Sequence, residues 1–174
     1  MVLGLGLGLG LANSKTTSIG IGIGIGSGSA AIHNTITWAD TTEFIVPISG
    51  GCVIKVYDGD TITIASKLPY DHSPLYRFSV RLKGIDTPEI KGKTEDEIIA
   101  AKYAQNALSE KILDKHVVLK NLENEKYGRI LADVYLDDLH INEWLIQQRH
   151  AVEYNGGTKM VPTSWLKYYL IGEK

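Results

Sequence analysis

The chain carries a single cysteine, Cys52, in 174 residues. No disulfide can form within it, and thiol-rich metal sites are excluded. Its five histidines (His33, His72, His116, His140 and His150) show neither HxxxH nor HxxEH spacing, which argues against a zinc hydrolase. An excess of basic residues is also missing: the formal net charge is -2 and the isoelectric point about 6.2. A protein that holds nucleic acid by broad electrostatic coating should be strongly basic. Positive charge must here be confined to a cleft, which speaks against a high-affinity binding module and suits an enzyme that releases its product. An uninterrupted apolar stretch of the ~20 residues needed to span a bilayer is absent near the N-terminus, because Lys15 and a polar run to Ser18 break it.

What is present is an ordinary balance of 44% apolar and 22% charged residues, enough for one domain with a proper core and a tail. Residues 1–45 differ from the rest. Leucine alternates with glycine over 3–11 and isoleucine with glycine over 19–26, followed by Ser27-Gly28-Ser29. Period-two alternation fits a strand, yet glycine at every second position makes ordering costly. No basic region precedes the Leu/Gly run, although Ala12-Asn13-Ser14 could serve as a small-residue cleavage site. A flexible or weakly self-associating tail is expected over 1–45. A signal peptide or membrane-associated segment at 1–32 stays open, so no compartment is assigned. The folded domain is expected over 46–174.

Within 46–174, β-rich runs at 52–57 and 61–66 flank Asp58-Gly59-Asp60, a turn with hairpin chemistry. A third strand is expected at 77–83, where Phe78, Val80 and Leu82 alternate with polar residues, after a longer connection carrying Pro69 and Pro74. Thr94-Glu95-Asp96-Glu97 reads as a capping box opening a helix with Ile98, Ala101, Ala104, Leu108 and Ile112 on one face. Strands at 116–120 and 130–136 follow, then a short run at 139–141. A second helix at 143–149 is expected to be capped by Asn142 and stopped by Gly156-Gly157, and a short amphipathic segment lies at 165–170. This order predicts an α+β, mainly β architecture: a five-stranded Greek-key β-barrel of the OB-fold type with two to three packed helices.

Three acidic or basic clusters carry the chemistry. Asp58 and Asp60 flank Gly59, where turns favour Asp for backbone reasons; a residue leaving the turn points from a barrel rim toward a common cleft. In Asp86-Thr87-Pro88-Glu89, Pro88 biases Thr87 toward extended geometry and so orients its carbonyl. Hard cations such as Ca²⁺ take six to eight oxygen ligands from carboxylates, carbonyls and water. Two carboxylates and a carbonyl leave open positions for water and a phosphate oxygen. Glu89 is close enough to reach a metal-associated water without closing that shell, and is otherwise an exposed loop residue. Arg81, isolated among Val80, Leu82 and Ile85, wants an anionic partner, and its planar fork matches phosphate oxygens; the alternative is a solvated strand face. Lys126-Tyr127-Gly128-Arg129 adds a second arginine after a tight turn, with a cation and a ring suited to a nucleotide.

The order and spacing of Asp58-Gly59-Asp60-Thr61, Arg81, Asp86-Thr87-Pro88-Glu89, Tyr127-Gly128-Arg129 and Asn142-Glu143 resemble the staphylococcal (micrococcal) nuclease family, from about residue 52 to about residue 154. The resemblance implies that Asp60, Asp86 and Thr87 bind Ca²⁺, with Asp58 shaping the turn, and that Arg81, Glu89 and Arg129 carry catalysis. Tyr154, or its neighbour Asn155, is only a rough counterpart of the family tyrosine that packs near the nucleotide base; Lys126, Tyr127 and Tyr154 are expected against the substrate. The insert at 67–75 and the Gly-Gly-Thr-Lys run look most like versions encoded by large DNA viruses. Cleavage of DNA and of RNA, leaving 3′-phosphate ends, is the implied reaction. Nothing calls for an obligate protein partner, and a monomer is expected. The alternative is a relative that kept the barrel as a nucleic-acid or protein-binding module and lost catalysis, although none of the six chemical positions is missing here.

Overall fold

The computed structural model describes residues 36–173. The repeats at the N-terminus, with the tail, signal and membrane expectations attached to them, lie outside the described residues. The chain divides into two units, Met1–Thr42 and Glu43–Lys174. In the first, a short 3₁₀ turn at Trp38–Asp40 is closed by the Thr37 N–H and hydroxyl, both donating to Asp40 Oδ2 at 2.8 and 2.6 Å. Among the described residues no helix is long and apolar enough to cross a membrane.

The second unit is built on a closed barrel. Strands β1 (Gly50–Val56), β2 (Thr61–Ser66) and β3 (Tyr76–Leu82) form an antiparallel meander. A two-residue strand β4 (Ile85–Asp86) and helix α1 (Glu95–Ile112) come next, then β5 (His116–Asn124) and β6 (Ile130–Leu136). β5 pairs antiparallel with both β1 and β6, and β6 lies parallel to β3 through Val80↔Ile130 and Leu82↔Ala132, which closes five strands into a mixed barrel. β7 (Leu139–His140), α2 (Ile141–Gln147), β8 (Val152–Glu153) and α3 (Trp165–Ile171) complete the unit. The α+β, mainly β, OB-type barrel with three helices is therefore the fold that forms.

Alternation in the strands explains the core. Val53, Ile62, Ile64, Val80, Leu82, Val117 and Val134 point inward with no more than trace exposure, and Leu108 and Ile112 of α1 with Leu145 of α2 seal the barrel. Ala100, Val152, Trp165 and Tyr168 form a second cluster joining α3 to α1 and β8.

Two local expectations need correction. Asn142 does not cap α2; the cap position is His140, which makes no capping hydrogen bond to the helix backbone, its Nδ1 lying instead 3.1 Å from Glu143 Oε1. Asn142 is instead buried, its Oδ1 accepting from Val134 N–H at 3.0 Å and its Nδ2 donating to the carbonyls of Lys83 (2.8 Å) and Ala132 (3.3 Å). A buried amide keeps its site only when its polar atoms are matched, and this one brackets β6 to the end of β3. α2 stops at Gln147, well before Gly156, and Arg149 adopts φ +60° just after it. Second, the Thr94 box closes by half: Thr94 Oγ1 accepts from Glu97 N–H at 3.2 Å, but Glu97 reaches Lys93 N–H (3.1 Å) and Glu89 N–H (3.4 Å) instead of the cap residue's own N–H. Glu97 thereby ties the segment carrying Glu89 to the helix.

Asn124 Nδ2 donates to Glu43 Oε1 at 2.7 Å and to the Phe44 carbonyl at 2.8 Å. Removing residues 1–42 spares these bonds and the whole core, so the melting temperature should stay within about 2 °C of the full chain's. Removing 1–45 loses two exposed hydrogen bonds, and a further drop of a few degrees is expected. Differential scanning calorimetry of both truncations checks this; a large loss on the shorter cut would show that the repeats pack on the domain.

Candidate active site

The turn between β1 and β2 delivers the first carboxylate. Gly59 is required there for space: a Cβ would come within 3.0 Å of Ala104 Cβ, Thr87 Cβ and Thr87 Cγ2. With no side chain, the turn lies directly on the Asp86-Thr87 segment and on α1. Asp60 follows, 4% exposed, held by its carbonyl accepting from Leu82 N–H (2.8 Å) and by the Thr61 hydroxyl donating to Oδ1 (2.9 Å). Asp58 shapes the turn, its Oδ1 accepting from Asp60 N–H at 3.3 Å. Burial, and then the neighbouring Asp60 charge, push the Asp58 carboxyl up to about 6.

The second carboxylate comes from β4, where Asp86 pairs with Val152 and is 2% exposed; Thr87 beside it is 4% exposed. Register places Arg81 opposite Thr61 on β2 and Leu131 on β6. Its guanidinium bridges the two acids: Nη1 pairs with Asp60 Oδ2, while Nη2 lies 3.5 Å from Asp86 Oδ1 and donates to the Ile85 carbonyl at 3.2 Å. Burial works against the Arg81 charge, but Asp60, Asp86 and Asp58 together outweigh it and hold its pKa above the ordinary arginine value.

Arg129 enters from the turn before β6. Its Nε donates to Glu125 Oε2 at 3.2 Å and its Nη1 to Thr61 Oγ1 at 3.3 Å, so the chain Arg129–Thr61–Asp60–Arg81 is continuous. Desolvation opposes ionisation of Glu125, yet the bonds from Arg129 and from Tyr127 N–H prevail and keep its carboxyl below the usual range. Glu89 is exposed and reaches the cluster through Lys159, whose Nζ is 2.8 Å from Asp86 Oδ1 and 3.5 Å from Glu89 Oε1. Asp60, Arg81, Asp86, Glu89 and Arg129 thus converge at one rim of the barrel, with Thr87 buried among them.

A cleft of about 520 Å³ opens beside Arg81, lined by Lys126, Leu131 and Tyr154 among others. Lys126 and Tyr154, both expected against the substrate, line it; Tyr127 does not, and its exposed ring lies 4.8 Å from the Lys126 ammonium. Glu97, Glu125 and Lys159 are participants that sequence reasoning missed. Glu125 had a weak signal, an acid facing Arg129 across the Tyr127-Gly128 turn. Lys159 had none, because 70 residues separate it from Glu89 and no local pattern links them.

Among the described residues no three acidic, histidine or cysteine side chains gather as a metal-binding group. The donors for a cation would be the Asp60 and Asp86 carboxylates and a Thr87 oxygen. This hard, all-oxygen and incomplete set fits Ca²⁺, with water and substrate completing the shell, and excludes soft metals. Two nearly buried carboxylates that draw in two cationic side chains are also where positive charge is most wanted.

Residues 79–163 match the family described as staphylococcal nuclease homologue. An uncharacterized endonuclease of Escherichia coli is 30% identical over 105 residues, covering 60% of this chain and 60% of that protein. A rice protein (Oryza sativa subsp. japonica) named "Probable staphylococcal-like nuclease CAN3" is 29% identical over 75 residues, covering 43% of this chain and 18% of its own length. The chain thus spans 60% or less of these curated relatives. Matched segment, barrel and rim cluster agree, and the chain carries a staphylococcal-nuclease-like domain.

Proposed function

We propose that the protein is a Ca²⁺-dependent endonuclease that hydrolyses phosphodiester bonds of DNA and RNA as a monomer, leaving 3′-phosphate and 5′-hydroxyl ends. The observation that carries this reading is the Asp60–Arg81–Asp86 bridge on the barrel rim, with Arg129 joined to it through Thr61 and Glu89 at its edge. Asp60, Asp86 and the Thr87 carbonyl would hold the cation, which when bound supplies polarisation of a phosphate oxygen.

The remaining work falls to the chain's own groups. Arg81, from β3, and Arg129, from the turn before β6, approach the phosphate from two sides and offer N–H donors where negative charge accumulates in the transition state. Glu89, exposed and adjoining the cluster, orients the attacking water and accepts its proton. Lys126 and Tyr154 line the cleft beside Arg81 and seat the flanking nucleotide.

Incubating the full chain with single-stranded DNA and with RNA, in Ca²⁺ or in EDTA, tests the reading. Cleavage in Ca²⁺ that stops on chelation, with products that a 3′-phosphatase converts to 3′-hydroxyl ends, is expected. Binding without cleavage would identify a module that kept the barrel and lost the chemistry.

A further inference from the structure

Lys159 lies outside the six positions expected to carry the chemistry, yet it makes the shortest contact to Asp86 of any cation at the site, 2.8 Å against 3.5 Å for Arg81. It sits midway along a strap, residues 154–164, between β8 and α3. Both ends of the strap are fixed. At one end β8 pairs with β4 through Asp86↔Val152, and Tyr154 N–H donates to the Gly84 carbonyl at 2.9 Å. At the other, Asp96 in the first turn of α1 accepts from Ser164 Oγ (3.1 Å) and Leu166 N–H (3.3 Å). The strap therefore crosses from the strand beside Asp86 to the helix that follows Glu89. A cleft of about 300 Å³ lies along it, lined by Asp86, Thr87, Glu89 and Lys159 among others.

The two cations on Asp86 are not equally held. Arg81 is largely buried and pinned by Asp60 and the Ile85 carbonyl. The Lys159 side chain is 44% exposed on a segment without helix or strand, with residues 155–161 exposed. A divalent cation taking Asp86 competes with both, and the exposed ammonium on a long stem is the cheaper one to withdraw. Once withdrawn, it still stands over a cleft that a phosphodiester chain must cross, and phosphate is the next anion within its reach.

We infer that Lys159 is a substrate-binding residue held in reserve: Asp86 and Glu89 retain it in the metal-free enzyme, and cation binding hands it to a phosphate next to the scissile one. This inference rests on the Ca²⁺-nuclease reading above. It carries a signature of opposite signs, in which removing the ammonium helps the metal and harms the substrate. A residue with a merely structural role would weaken both.

The test uses the full chain with Lys159→Met, which keeps the stem, and Lys159→Arg, which keeps the charge. In calorimetric titration with Ca²⁺, Lys159→Met should bind roughly three- to tenfold tighter than wild type. Its KM for single-stranded DNA should rise by a similar factor with a smaller change in kcat, and the slope of log KM against log salt should fall by about 0.7, one single-strand phosphate contact. Lys159→Arg should restore KM. Amide exchange over 155–163 should rise on adding Ca²⁺ to wild type and be raised already in Lys159→Met without it. Equal or weaker Ca²⁺ affinity in Lys159→Met, an unmoved KM, or strap exchange indifferent to Ca²⁺ would overturn the inference while leaving the nuclease reading standing. Wild type that takes up no Ca²⁺ and cleaves nothing would overturn both.

Discussion

On the proposed reading, Asp60→Ala and Asp86→Ala should each lower the Ca²⁺-dependent cleavage rate by roughly 10³-fold, since the cation they would hold would supply several kcal/mol in the transition state. Each removes one of the two carboxylates proposed to hold the cation, so Ca²⁺ affinity should fall as well. Stability tells a second story. Arg81 is held by both acids, with its side chain 14% exposed. Losing one leaves it a partner, whereas losing both strands a largely buried guanidinium, a situation that typically costs about 3–5 kcal/mol. The double variant should therefore be destabilised by more than the sum of the single changes, as expected for groups that share a partner. Thermal melts of the metal-free proteins, with activity and Ca²⁺ titrations alongside, check all three statements. Wild-type turnover and Ca²⁺ affinity in both single variants would remove these aspartates from the chemistry.

Arg81→Lys and Arg129→Lys should each lose roughly 10²–10³ in kcat, the usual effect of removing one preorganised donor from a developing oxyanion. Lysine keeps the charge, but no single ammonium can bridge Asp60 and Asp86 while bonding the Ile85 carbonyl, as the Arg81 fork does. Arg129 has a similar requirement, because Glu125 takes its Nε while Thr61 takes Nη1, an orientation that needs a planar group. DNA binding, which depends mainly on charge, should weaken far less than turnover. Steady-state kinetics beside binding to an uncleavable phosphorothioate strand separates the two. Near-wild-type turnover in either lysine variant would remove that position from the chemistry.

Chemistry written in short stretches was legible in the sequence because its geometry is local. Asp58-Gly59-Asp60 declares a turn through backbone preference, Pro88 restricts Thr87, and Thr94 announces α1 by accepting from Glu97 N–H. Alternation at period two marked β2 and β6 with the bounds they have in the fold, since their inward side chains face one continuous core. The same rules misread Asn142, because a good capping residue and a buried bracket share one side chain and only the neighbours decide between them.

What the tertiary structure alone decided lies between distant segments. The parallel pairing of β3 with β6 closes the barrel and sets Arg81 beside Leu131; no local pattern encodes the partner of a strand. Gly59 reads as a turn residue in sequence, and only packing against Thr87 and Ala104 shows that it sets the depth of Asp60. Lys159 reaches Asp86 because β4–β8 pairing and Asp96 fix both ends of its strap. Propensity acts over a few neighbouring residues, whereas the electrostatics of a site depends on which charges the closed chain brings within about 4 Å of each other.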